Sequence, residues 1–156
     1  MIDVYEQLVQ QLGDKCGIPE MKPDDNRAVH LTFDESIHVC IQQTGNEDEI
    51  LLYCVIGVIE SLESAEIPMQ LLTASLFGQE TNGATFAVEP LTGQVILQRM
   101  ERLPGLTFAD FEECLKQFVD AAEVWMRRLV PDSEQSGPEL TPVDVDAMPE
   151  GQAISI

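Results

Sequence analysis

The chain has 156 residues, 28 of them acidic against 8 basic, for a formal net charge of -20. A length of this order suits one domain that buries roughly two thirds of its unfolded surface without disulfides. The charge repels nucleic-acid backbones and anionic membranes, so the partners expected are basic or apolar. Between Arg27 and Arg99 there is no Lys or Arg, although that span holds most of the apolar, strand-like sequence.

Taken in chain order, Ile2, Val4, Tyr5, Leu8, Val9 and Leu12 form a broad apolar stripe at helical spacing. Gly13 and the following "GIPEMKPDD" are expected to stop that helix. "VHLTF" alternates with Val29, Leu31 and Phe33 on one face, and "IHVCI" repeats the pattern with Ile37, Val39 and Ile41. "DES" between them suits a hairpin turn. After "TGNEDE", the run "ILLYCVIGVI" is apolar on both faces, as a central strand is, or a strand with one face reserved for a partner. Pro68 opens a short helix through "MQLLTASLF" to Gly78, a natural left-handed cap.

"TNGATFAVEPLTGQVILQ", residues 81 to 98, places two glycines after amide or hydroxyl side chains. A phosphate-binding loop needs a Gly-rich turn that opens a helix and carries a Lys. Here each glycine leads into strand-like sequence with no cation nearby, so Gly83 and Gly93 read as turn glycines. Ala84, Phe86 and Val88 face one way in the first strand, and "QVILQRM" returns as the second. The last helix is the clearest. Thr107 caps it with Asp110 three residues on, Phe108, Phe111, Leu115, Phe118, Ala122, Trp125 and Leu129 share one face, and Arg127 and Arg128 sit in the last turn before Pro131. Residues 131–156 hold four prolines, six acids and no base, and are expected to form an acidic disordered tail on a domain spanning 1–130.

Chemistry is sparse. Asp34, Ser36 and His38 are spaced two apart on a turn and strand, which cannot by itself assemble a nucleophile, base and orienter. His30 and His38 with Cys40 or Cys54 have no spacing that favours zinc. "GNEDE" lacks the alternating ligands and internal Gly of a calcium loop. The four cysteines, Cys16, Cys40, Cys54 and Cys114, show no framework spacing and read as reduced thiols of a cytoplasmic protein. No run reaches membrane-spanning length, and the first residues do not resemble a secretory signal. No enzyme activity and no cofactor are expected. What remains is an excess of apolar surface, which points to self-association and a groove for an extended peptide.

The order helix, three strands, helix, two strands, helix, together with "LLTASLFGQETNGATFAVEPLTGQVILQ" and "LTFADFEECLKQFVDAAEVW", resembles the class I chaperones of bacterial type III secretion, the Tir chaperone family. The family often carries Asn where Ser75 stands and Gly where Asn82 stands. The resemblance implies an α+β homodimer with an antiparallel twisted sheet flanked by helices. It implies a cytoplasmic chaperone that holds the N-terminal segment of a secreted effector extended and hands it to the export apparatus and its ATPase. By the same resemblance Leu71, Leu72, Leu76 and Phe77, with Phe86 on the following strand, form the dimer interface. The effector contacts Val4, Tyr5 and Leu8 on the first helix and His38, Cys40, Leu51 and Tyr53 on the strands. Two other readings differ in role: an anti-regulator linking secretion to transcription, and a general acidic interaction domain.

Overall fold

A computed structural model describes residues 3–60 and 64–129. Its elements are α1 (Val4–Cys16), β1 (Ala28–Phe33), β2 (Ile37–Gln43), β3 (Glu49–Val58), α2 (Glu66–Ala74), a 3-10 turn (Leu76–Gly78), β4 (Thr85–Val88), β5 (Gln94–Arg102) and α3 (Phe108–Leu129). This is the α+β order read from the sequence. The five strands form one antiparallel sheet in the order β1-β2-β3-β5-β4, which makes β3 the central strand and leaves β1 and β4 as edges.

Alternation along the strands divides the sheet into two faces. Val29, Leu31, Ile37, Val39, Ile41, Ile50, Leu52, Cys54, Ile56, Val95 and Leu97 meet Tyr5, Leu8, Val9 and Leu12 of α1, Leu71 and Ala74 of α2, and Phe111, Leu115, Phe118, Ala122 and Trp125 of α3 in the main core. Cys114 and Ala121 join the α3 face as well. The two-sided apolarity of β3 therefore belongs to a central strand, with Tyr53 and Val55 in a smaller cluster on the other face.

Three boundaries depart from the sequence reading. The first helix does not stop at Gly13 but continues to Cys16, where Gly17 caps it at φ 74. Gly13 is kept for contact rather than for a break, since a Cβ there would meet the Met21 Cβ at 2.6 Å and the Ile18 carbonyl at 2.7 Å. The second helix begins at Glu66, and its regular part ends at Ala74. Thr73 and Ser75 hydroxyls donate back to the carbonyls of Met69 (2.7 Å) and Leu71 (2.9 Å), a local competition that disfavours continuation. Phe77 then sits at φ 55. The β1–β2 turn is made without glycine, by Asp34 and Glu35 at φ 48 and 61.

The α1 and α3 starts follow their caps. Asp3 accepts from the Glu6 N–H at 2.8 Å, and Thr107 Oγ1 accepts from the Asp110 N–H at 3.2 Å while donating to its carboxylate at 2.6 Å. Gly93 is a turn glycine with a second duty: it adopts φ 72 and lets the Ile59 carbonyl approach to within 2.4 Å of where a Cβ would stand. Ile2 and residues 130–156 lie outside the described residues, and so does the expected tail.

Candidate binding surfaces

The sequence excess of hydrocarbon resolves into separate surfaces. Met69 and Leu72 lie three residues apart on α2, and the 3-10 turn that follows adds Leu76, four residues on, and Phe77. They are 57%, 69%, 60% and 87% exposed, respectively. The opposite side of the same helix gives Leu71 and Ala74 to the core. Of the residues expected at a dimer interface, Leu72, Leu76 and Phe77 therefore form an outward ridge. Leu71 is a core residue of its own protomer, and Phe86 is half-buried edge-on against Trp125, with ring centroids 4.9 Å apart.

The segment that follows the ridge is tied to α3 and to itself. Trp125 Nε1 donates to the Glu80 carbonyl at 3.1 Å, Arg128 lies over the Trp125 ring at 4.7 Å and reaches the Glu80 carboxylate at 3.1 Å, and buried Thr81 donates to the Ala84 carbonyl at 2.6 Å. Asn82 adopts φ 51, which Asn tolerates better than most residues. Beside the ridge Met69, Gln70, Thr73, Glu80, Trp125 and Arg128 line a groove of about 260 Å³.

The second surface is the sheet face opposite the main core. Its cluster comprises Ala28, Cys40, Tyr53, Val55 and Ile96 with Leu51 and Ala87 packed against it, every one of them from a strand. Cα partners His30, Cys40, Tyr53, Gln98 and Thr85 run in one row across all five strands. In a chain of charge -20, the sole strand carboxylate that alternation assigns to this face is Glu49, and its Cα partner is Arg102. Asp24, from the loop before β1, stands 4.0 Å from His30. Burial pushes the Cys40 thiol up to about 11 and raises the neighbouring Tyr53 hydroxyl well above its usual range.

His38, Cys40, Leu51 and Tyr53, expected from different stretches of sequence, thus share one face. The first-helix set is split. Val4 is half-exposed, but Tyr5 and Leu8 point into the main core on the other side of the sheet, 1% and 4% exposed. Tyr5 donates to the Ile41 carbonyl at 2.7 Å, and its hydroxyl is pushed far up, chiefly by burial. Arg27 locks this end of α1 by pairing with Asp3 and with Glu6 (2.6 Å), donating to Gln43 (2.8 Å) and lying 5.3 Å over the Tyr5 ring. Sequence periodicity identified Tyr5 and Leu8 as apolar but could not say that the sheet, rather than a partner, takes them.

A third concavity, of about 310 Å³, lies between α1 and α3 over Leu12, Phe33, Leu115 and Val119 and is rimmed by the Lys15–Glu112 pair.

The polar candidates do not assemble a reaction centre. His38 Nδ1 lies 3.0 Å from Thr32 Oγ1, and Asp34 is spent on the β1–β2 turn. His30, His38 and Cys40 face one side of the sheet and Cys54 the other, so they cannot share one ion. Among the described residues no group of three or more His, Cys, Asp or Glu could hold a metal, and no helix is long and apolar enough to cross a membrane.

Comparison with known proteins places this architecture. The transcriptional anti-antiactivator ExsC of Pseudomonas aeruginosa is 27% identical over 129 residues, covering 83% of this chain and 88% of that protein. A Chlamydia pneumoniae protein is 28% identical over 129 residues, covering 81% and 96%. In the crystal structure of the ExsC–ExsE complex, one chain aligns with a TM-score of 0.72 and 25% identity over 86% of this chain and 98% of that one. The Yersinia pestis type III secretion chaperone SycH, solved with a fragment of YscM2, shares the fold at a TM-score of 0.61 and 16% identity, covering 78% and 98%. The family model of the Tir chaperone protein (CesT) family matches residues 7–126, and the chain belongs to that family.

Proposed function

We propose that this chain is a homodimeric cytoplasmic chaperone of type III secretion, which keeps the N-terminal segment of a secreted effector extended, soluble and competent for export. The observation that carries the reading is the pairing of two surfaces on one acidic body: the exposed ridge of Leu72, Leu76 and Phe77, and an apolar sheet face that no helix among the described residues packs on and whose strand residues include one carboxylate, Glu49. Each large apolar side chain left in water forgoes about 1.5–3 kcal/mol of burial, so the ridge favours a second copy. The sheet face and the free β1 edge suit an extended segment, whose backbone adds to the strand while alternate side chains settle on the face. Acids at both ends of β1, Asp24 and Asp25 before it and Asp34 and Glu35 after it, favour a segment with basic flanks. Delivery to the export apparatus and its ATPase, and the absence of catalysis, are part of the same reading.

The test is a pull-down of secreted proteins with the chain and with its Tyr53→Asp variant, which places a charge in the middle of the sheet face. Tyr53 is itself mostly buried, so the fold of this variant is checked by circular dichroism and the exposed His38→Asp variant on the same face is run beside it; both are expected to lose the captured segment, and undiminished capture by a folded variant would put the binding face elsewhere.

A second reading is favoured by the match to ExsC, named an anti-antiactivator. Here the same surfaces hold a regulator that is never secreted, and release of that regulator couples transcription to secretion. Identifying a captured, non-secreted partner that competes with the secreted one distinguishes this role from the chaperone role alone.

A further inference from the structure

The outer edge of β1 is open over only part of its length. The Gln43 N–H donates to the Arg27 carbonyl at 3.0 Å, which fixes Arg27 and Gln43 as a hydrogen-bonded pair. Alternation from that pair turns the backbone groups of Val29, Leu31 and Phe33 toward β2 and those of Ala28, His30 and Thr32 outward. At Ala28 the outward groups are taken: its N–H donates to Asp24 Oδ1 at 2.8 Å, and its carbonyl accepts from the Asp24 N–H at 2.9 Å. Past the other end, Asp34 and Glu35 stand at φ 48 and 61 and turn the chain away. Among the described residues the N–H and carbonyl of His30 and of Thr32 find no partner on this edge. These two residues leave a short open ladder.

We propose that Asp24 is both a stop and a charge selector for an added strand: an extended partner segment pairs with His30 and Thr32 alone and sets a Lys or Arg beside the Asp24 carboxylate where it leaves the edge. This role rests on the partner-binding reading above and adds to it where the ladder ends and which residue stands there. Asp24 can do both because its two oxygens are divided. Oδ1 accepts the N–H groups of Asn26 (2.9 Å) and Ala28, which holds the stop in place, whereas Oδ2 lies 4.0 Å from His30 Nε2, at the residue where the open ladder begins. Arg27, whose N–H donates to the Asp24 carbonyl, sends its guanidinium to Asp3 and Glu6 instead. Asp25 beside the stop, and Asp34 and Glu35 at the far end, are exposed acids that add to the preference for basic flanks.

The register follows. Partner residues opposite His30 and Thr32 share their side of the sheet, next to the side-chain pair of Thr32 and His38 at 3.0 Å, and the residue between them lies level with Leu31 on the main-core side. Level with Ala28 the segment has no ladder group left to use, and only its charge counts there.

The probe is the end-blocked peptide Lys-Val-Thr-Val-Thr-Val-Lys, whose threonines fall opposite His30 and Thr32 and whose lysines fall level with Ala28 and Asp34; a control peptide carries Glu at both ends. Amide hydrogen exchange of the full chain is followed by NMR with each peptide at millimolar concentration. Without peptide, the His30 and Thr32 amides are expected to exchange about tenfold faster than that of Ala28, or more. The lysine peptide should slow both about threefold or more and leave Ala28 unchanged, and the glutamate peptide should slow neither. Asp24→Asn keeps the Oδ1 acceptor and loses the charge, so the preference for lysine should fall while the Ala28 amide stays slow. Asp24→Ala loses the acceptor as well, and its Ala28 amide should exchange about tenfold faster. An Ala28 amide as fast as those of His30 and Thr32 in the unaltered chain overturns the proposal. So does a lysine peptide that slows neither His30 nor Thr32, equal slowing by the two peptides, or an undiminished lysine preference in Asp24→Asn. A chain that fails here and still captures a secreted protein in the pull-down keeps the chaperone reading and loses only this edge and its register.

Discussion

Leu72→Glu and Leu71→Ala, neighbours in sequence, should fail in different ways. Leu72 is 69% exposed and stands in the middle of the α2 ridge, while Leu71 is 3% exposed in the main core. In a two-fold dimer each substitution is made twice across the interface. Losing a buried leucine costs about 2 kcal/mol per copy, hence about 4 kcal/mol of association, or roughly a thousandfold in dissociation constant. Two carboxylates forced into the same apolar contact add to that, because neither has a partner. Leu72→Glu is therefore expected to be monomeric at micromolar concentration in light scattering or sedimentation, with a thermal transition that no longer depends on concentration. Leu71→Ala should lose about 2–5 kcal/mol of folding stability through the cavity it leaves. A Leu72→Glu protein that remains a dimer, with its association constant unchanged, would refute the assignment of this ridge.

Other outcomes follow from single contacts. Gly13→Ala adds a Cβ 2.6 Å from the Met21 Cβ, and the helical preference for Ala is worth at most about 1 kcal/mol, so a net loss of about 1–3 kcal/mol is expected in urea unfolding. Tyr5→Phe removes the hydroxyl that satisfies the Ile41 carbonyl and should cost about 1–2 kcal/mol without changing the dimer. Burial raises the Cys40 thiol from 9.0 to about 11 and those of Cys54 and Cys114 to about 12. A raised thiol pKa means that the unfolded state releases its proton first. The stability these thiols contribute is complete below pH 9 and is lost as pH rises towards 11–12, so the urea midpoint should fall across that window. Replacing Cys54 by Ser should flatten that fall.

Periodicity carried most of the fold because each element keeps one apolar side. α3 shows this best: Phe111, Leu115, Phe118, Ala122 and Trp125 were legible as one face and all are buried. Gly13 was misleading because glycine marks both a helix end and a close approach, and only the position of Met21 distinguishes them. The same limit applies to the surfaces. Leu71 and Leu72 are equally apolar, and their assignment to core and ridge depends on which way α2 rolls on the sheet. Tyr5 and Leu8 looked available until the sheet took them, whereas His38, Cys40, Leu51 and Tyr53 fall on one face through the register of β2 on β3, which pairs Cys40 with Tyr53. The left-handed turn at Asp34 and Glu35 carried no glycine to announce its geometry, only its length.

Chaperone function is tested most directly by native mass spectrometry of the intact complex captured from the bacterium that makes this chain, combined with limited proteolysis of the partner. The expected complex holds two copies of the chain and one secreted protein, gripped through an N-terminal segment that stays protected while the remainder is cleaved or folded independently. A monomer without a partner, or a stable complex with a globular protein held through its folded domain, would contradict it.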